Sequence, residues 1–177
     1  MILRKTNAVL SLITTILLLG HAISIAIWML SRGNIIPFGG HTLPKALVVF
    51  FVAHAIMSII VLITSRKAEK NNNVKSHSKL NVQTKIQRIS GILLIPFTFL
   101  HIAGAKGIMT PPQFVHAVVP AVFFIITMAH ISVSGSKPFI TLGIGSAKFI
   151  KCADIAIKAI CTITVIADII GFYLHVC

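Results

Sequence analysis

The chain has 177 residues, of which 56% are hydrophobic and 11% charged, with 16 Lys and Arg against 3 Asp and Glu and a formal net charge of +13; its mean hydropathy is +0.96. A soluble domain is about 45–50% apolar and about 25% charged, so an ordinary cytoplasmic domain, a disordered chain and a disulfide scaffold are excluded together. Positive charge on a polar surface would suggest nucleic acid, but here it lies between long apolar runs, as in proteins that use lipid as solvent, and no nucleic-acid partner is expected.

A membrane-crossing helix needs roughly 20 apolar residues, each adding about 1.5 Å across a hydrocarbon core about 30 Å thick. The first run, 8–30, carries no charge. It is long and lacks the small-residue cleavage motif of a secretory leader, so it reads as an uncleaved first helix. The second, 46–64, is ended by Ser65-Arg66-Lys67. The polar stretch 65–85, with Asn71-Asn72-Asn73, reads as a solvated loop whose positive charge can meet anionic lipid or an acidic cytoplasmic partner. The third run, 89–105, lies between Arg88 and Lys106. Pro111-Pro112, well suited to a helix start, opens the fourth, 112–135 or longer. The fifth, 152–176, is the weakest, because it contains Asp154, Lys158 and Asp168; the first two are four residues apart and can pair on one face. The expectation is an all-α integral membrane protein, a single five-helix transmembrane bundle over 1–177. Cys152, Cys161 and Cys177 show no C-x-x-C spacing and read as lipid-facing rather than as cluster or zinc ligands.

Thirteen of the sixteen basic residues fall on the side of the N-terminus; Arg32, Lys45 and Lys106 alone fall on the other. Cytoplasmic connections carry the excess of Lys and Arg, so a multi-pass protein of the cell membrane with a cytoplasmic N-terminus is expected.

Eight histidines stand beside three carboxylates, and ionisable groups in apolar segments are rarely there without a function. His21 and His101 each lie about 13 residues from the inner end of their spans, or about 20 Å deep. His54 lies about 11 residues in, roughly 16 Å. His130 is about 8 Å deep if the fourth span stops near Gly135, and nearer 20 Å if it continues past Pro138. Four helices thus supply four imidazoles at two levels, which is what bis-histidine haem requires. Gly20, Ala22, Ala53, Ala55, Ala103, Gly104 and Ala129 beside them admit a flat macrocycle, and equally admit close helix packing. For a single intramembrane histidine the competing reading is a hydrogen bond to Ser or Thr of another helix; four on four helices, paired by depth, favour haem. His41, His77, His116 and His175 read as bystanders, with His116 the substitute should one of the outer pair be misassigned.

The segment Gln87-Arg88-Ile89-Ser90-Gly91-Ile92, followed by an apolar run to His101, resembles the Gln-Arg-[Val/Ile]-[Ser/Thr]-Gly segment of succinate dehydrogenase and fumarate reductase cytochrome b subunits. The similarity is closest to the single-chain, five-helix, two-haem type that works with menaquinone. Leu19-Gly20-His21, Phe51-Val52-Ala53-His54-Ala55 and His130-Ile131-Ser132 resemble that family's first, second and fourth helices. The likeness runs from Arg4 to about Gly145, and the fifth helix matches in length only.

The resemblance implies two haem b groups: one held by His21 and His101 distal to the cytoplasm, one by His54 and His130 proximal to it. These are the pairs that depth gives. It also implies that the fourth helix continues beyond Gly135, and that Arg88 faces a haem propionate or the iron–sulfur partner, unless it is an ordinary interfacial charge. A cytoplasmic iron–sulfur subunit and a flavoprotein subunit would perform the dicarboxylate chemistry, membrane quinone would exchange electrons with the haems, and a dimer of such complexes is left open. The chain itself has no dinucleotide fingerprint. It departs from the family in length, in a compressed interval from His101 to His130, and in having no carboxylate across 31–45, where related proteins place an acidic residue. The carboxylate deepest in lipid is Asp168, about 16 residues into the fifth span and so about 24 Å from the inner face. It is a candidate quinol proton acceptor, or an Asp hydrogen-bonded within the bundle; His41 is a weaker alternative acceptor. Two rivals stand beside this reading. One is a cytochrome b anchor for a different flavoprotein reductase. The other is a haem-free transporter or assembly protein, disfavoured because transporters interrupt helices at mid-membrane, whereas the prolines here lie mostly near span ends apart from Pro96 and Pro120.

Overall fold

The computed structural model of the chain describes residues 2–35, 42–71, 82–105, 108 and 113–176. Its regular elements are six helices: α1 (Ile2–Leu30), α2 (Thr42–Asn71), α3 (Val82–Ala105), α4 (Gln113–Ser134), α5 (Lys137–Leu142) and α6 (Ala147–Val176). No strand occurs among the described residues, in line with the all-α expectation.

The helices outrun the apolar segments that predict them. α1 starts at Ile2 rather than Ala8, and α2 continues from Thr64 through Ser65-Arg66-Lys67 to Asn71. A charge ends an apolar run but not a helix, since Arg, Lys, Ala and Glu are all good helix formers. Pro96 and Pro120 lie inside α3 and α4, which remain helical on both sides of them. Each removes one backbone donor without breaking its element.

Among the described residues four stretches are long and apolar enough to cross a membrane: Ile2–Leu30, Thr42–Ser65, Val82–Gly104 and Val119–Leu142. The fourth passes the end of α4 and takes in α5, which agrees with the longer of the two expected ends. α5 stops at Gly143, whose φ of 71° is left-handed; there Ile144 N–H bonds the Phe139 carbonyl at 2.9 Å, closing the helix as glycine commonly does. α6 forms across the expected fifth span and begins earlier, but it is not among the four. Lys148, Lys151, Asp154 and Lys158 are concentrated in its first half, and residues 159–176 carry one charge, Asp168.

The chain divides into two compact units, Met1–Lys79 with Gly135–Cys177, and Leu80–Ser134. In the first, α1 packs against α2, α5 and α6. Ala8, Ala22 and Ala26 are buried on α1 together with Thr14 and Ser24, small side chains that let neighbouring backbones approach. α2 runs antiparallel to α1: Ser58 Oγ bonds Asn7 Oδ1 at 3.1 Å, and Arg4 donates to Ser65 Oγ at 3.3 Å. At the other end a Cβ on Gly171 would lie 2.8 Å from Met29 Cβ, so α6 crosses α1 where only glycine fits. That contact is near the C-terminal end of both helices, so the two run parallel. Ser136 donates to Asp154 Oδ1 at 2.8 Å, and Lys158 pairs with the other carboxylate oxygen at 2.5 Å, tying the start of α5 to the first third of α6. In the second unit α3 packs against α4, and Ser90, Leu94, Thr127, Met128 and Ile131 are buried.

Candidate functional site

Each unit, taken alone, carries two of the four candidate ligands, and all four are half-buried. In the first unit, His54 lies one turn before Ser58 on α2, so by the antiparallel register it stands level with about Ser11 of α1. His21 is ten residues farther along α1, an axial separation of about 15 Å at 1.5 Å per residue. The Asn7 backbone faces the His54 ring, yet His54 Nδ1 is buried and has no partner in hydrogen-bond geometry.

In the second unit, His130 Nδ1 lies 2.9 Å from Ser90 Oγ, which fixes the level of His130 on α4 against α3. The His101 ring stacks on Phe123, with centroids 5.0 Å apart and planes at 22°. His101 is eleven residues beyond Ser90 on α3, and Phe123 seven residues before His130 on α4. The two imidazoles are therefore separated along the helices by between about 10 and 16 Å. Both units show one pattern: two imidazoles, on two different helices, at two levels.

The local sequence explains how His130 is seated. Ser90 is 6% exposed, and its neighbour Gly91 leaves room for the ring, since a Cβ there would come within 3.2 Å of His130 Cε1. The segment that carries the family resemblance thus packs on a candidate ligand. Sequence reasoning named the segment but assigned no role to Ser90, Gly91 or Phe123. Those contacts depend on how each helix is rotated about its axis, which apolar run lengths do not report.

Asp168 belongs to the same unit as His21. With Gly171 against Met29 and Leu30, Asp168 stands near the level of Ala26, an axial distance of about 8 Å from His21. Its Oδ1 is buried and without a hydrogen-bond partner among the described residues. Arg88 is exposed on α3, two residues before Ser90. His41, His77 and Pro111-Pro112 lie outside the described residues, and the side chains of His116 and His175 are likewise outside them.

The expected pairs, His21 with His101 and His54 with His130, each take one member from either unit. Among the described residues no three of His, Cys, Asp and Glu converge on one point, but haem iron asks only two ligands of the protein. The residues present suit that group in two respects: a buried nitrogen on His54 without a hydrogen-bond partner among the described residues, and a glycine that clears space for the His130 ring. Comparison with protein-family models, curated proteins and solved structures found no match.

Proposed function

We propose that the chain is a dihaem cytochrome b: the membrane-anchor and electron-transfer subunit of a complex of the succinate dehydrogenase and fumarate reductase type. The observation that carries the reading is the repeated placement of two half-buried imidazoles, roughly 10–16 Å apart along the helix axes, in each unit separately. A haem-free interhelical histidine needs no such repetition. α3 and α4 also run unbroken through their prolines, which weighs against a transporter with interrupted helices.

In this reading His21 and His101 would hold one haem b and His54 and His130 the other. Haem supplies a one-electron iron couple whose potential is tuned by axial ligands, hydrogen bonds and burial. The histidines do no acid–base work; they fix position and potential. Asp168, near the level of His21, would accept one of the two protons released as quinol passes its two electrons to the haem irons. The basic ends of the helices face the cytoplasm by the positive-inside bias, where iron–sulfur and flavoprotein subunits carry out the dicarboxylate chemistry. Arg88 sits at that boundary, available to a haem propionate or to the iron–sulfur partner. A fifth crossing by α6 completes the bundle, its Asp154–Lys158 pair lowering the cost of the two charges.

The test is a dithionite-reduced minus oxidised spectrum of the chain, purified from cells supplied with haem precursors, with haem quantified per chain. Two haem b per chain are expected. A folded chain with no haem absorbance overturns the reading.

A further inference from the structure

The Ser90 hydroxyl has three neighbours and one proton. Its Oγ lies 2.6 Å from the Ile86 carbonyl, 3.3 Å from the Gln87 carbonyl and 2.9 Å from His130 Nδ1. Two oxygens at 2.6 Å repel unless a proton lies between them, and 2.6 Å is at the short end of O–H···O hydrogen bonds. The Ser90 proton therefore points at Ile86, and the hydroxyl is left as an acceptor toward α4. An acceptor at 2.9 Å from Nδ1 requires the proton of the neutral ring to be on Nδ1, since one ring nitrogen donates and the other carries the lone pair. The lone pair is then on Nε2.

We infer that Ser90 is a positioning residue for a haem ligand: it holds His130 as the Nδ1–H tautomer and so presents Nε2 to iron. The inference rests on the dihaem reading for the metal, but the tautomer is a property of the chain alone. The pattern is that of ligating histidines generally, which donate their second ring nitrogen to an outer partner that fixes ring orientation and raises basicity. Gly91 supplements it from the adjacent position. With a Cβ there only 3.2 Å from His130 Cε1, the glycine lets the ring lie close enough to α3 for the hydrogen bond to form. Ser90 is 6% exposed, so little water competes for the same nitrogen.

The experiment uses the full chain in lipid nanodiscs, labelled with ¹⁵N-histidine and compared with and without haem. In the haem-free chain at a pH where histidine is neutral, the His130 signals, assigned by their loss in His130→Gln, should show a protonated Nδ1 and an unprotonated Nε2. Ser90→Ala and Ser90→Cys should each release the ring to a mixture of tautomers, and Ser90→Thr, which keeps the hydroxyl, should restore the single form. Haem affinity at the His130 site, read by transfer of haem to apomyoglobin, should fall about 10- to 100-fold in the Ala and Cys variants, with the other haem retained. His130 signals that are the same in the Ala, Cys and parent chains overturn the inference. A Ser90-dependent tautomer in a chain that takes up no haem refutes the dihaem reading instead and leaves the hydrogen bond standing.

Discussion

Replacing Gly171 by Ala probes the seam between α1 and α6. The added Cβ would lie 2.8 Å from Met29 Cβ, 3.3 Å from the Leu30 nitrogen and 3.4 Å from the Met29 carbonyl carbon. Carbon atoms rest about 3.5–4.0 Å apart, so the two helices must separate by about 0.7 Å or more. None of those three atoms is the free end of a side chain, so a rotamer change cannot absorb the displacement. Overpacking of this kind costs about 1–3 kcal/mol. The Gly-to-Ala gain in helix propensity, about 0.8–1.0 kcal/mol, partly offsets it.

Gly104 supplies the control, because a Cβ there meets nothing within 4 Å and its replacement by Ala carries the propensity gain alone. The common term cancels between the two variants, and Gly104→Ala should be more stable than Gly171→Ala by about 1–3 kcal/mol. Reversible unfolding from mild micelles into dodecyl sulfate measures the difference. The chain's single tryptophan, Trp28, adjoins Met29 and gives a fluorescence signal at the seam. Met29→Gly should recover part of the loss in a double-mutant cycle. Equal stabilisation by both alanines would refute the packing argument and, with it, the level assigned to Asp168.

Four further outcomes are expected. His54→Ala and His21→Ala should each lower the haem content from two to one, and together to none, by pyridine haemochromogen assay. Gly91→Ala should push the His130 ring by about 0.3–0.8 Å to reach ordinary carbon contact, stretching its 2.9 Å bond to Ser90 toward or past the usual limit of about 3.2 Å; a low-spin haem resonance identical to the parent's counts against that geometry. Asp168→Asn should slow haem reduction by quinol about 10²- to 10⁴-fold, the usual worth of a positioned proton acceptor, with both haems retained; parent-like rates would remove Asp168 from the proton path. Asp154→Asn removes an ion pair whose side chains are 32% and 46% exposed but can keep the bond from Ser136, so the loss in unfolding free energy should stay within about 0.3–0.5 kcal/mol.

Run length and helical rise carried much of the architecture. Uninterrupted apolar stretches placed α1 to α4, and counting residues at constant rise assigned His21 and His101 to one level and His54 and His130 to another before any contact was known. The helices run past the apolar spans where charge and helicity part company, as at Ser65-Arg66-Lys67, because hydropathy measures solvent preference and not backbone conformation. The charges of α6 lie in a continuous helix for a related reason, gathered in its first half ahead of an apolar second half. The lateral detail was beyond reach. Each residue turns a helix by about 100°, so whether Ser90 or Ile89 meets His130 depends on a rotation that only packing fixes.

The central position of α1 bears on how the protein is made. α2 is available to it soon after synthesis, but α5 and α6, which also pack against α1, emerge more than a hundred residues later. α3 and α4 are near neighbours in the chain and can pair as soon as both are inserted. Ribosomes halted before α6 should therefore yield a product whose second hairpin is already protease-resistant while its N-terminal helix is still exposed to membrane quality control.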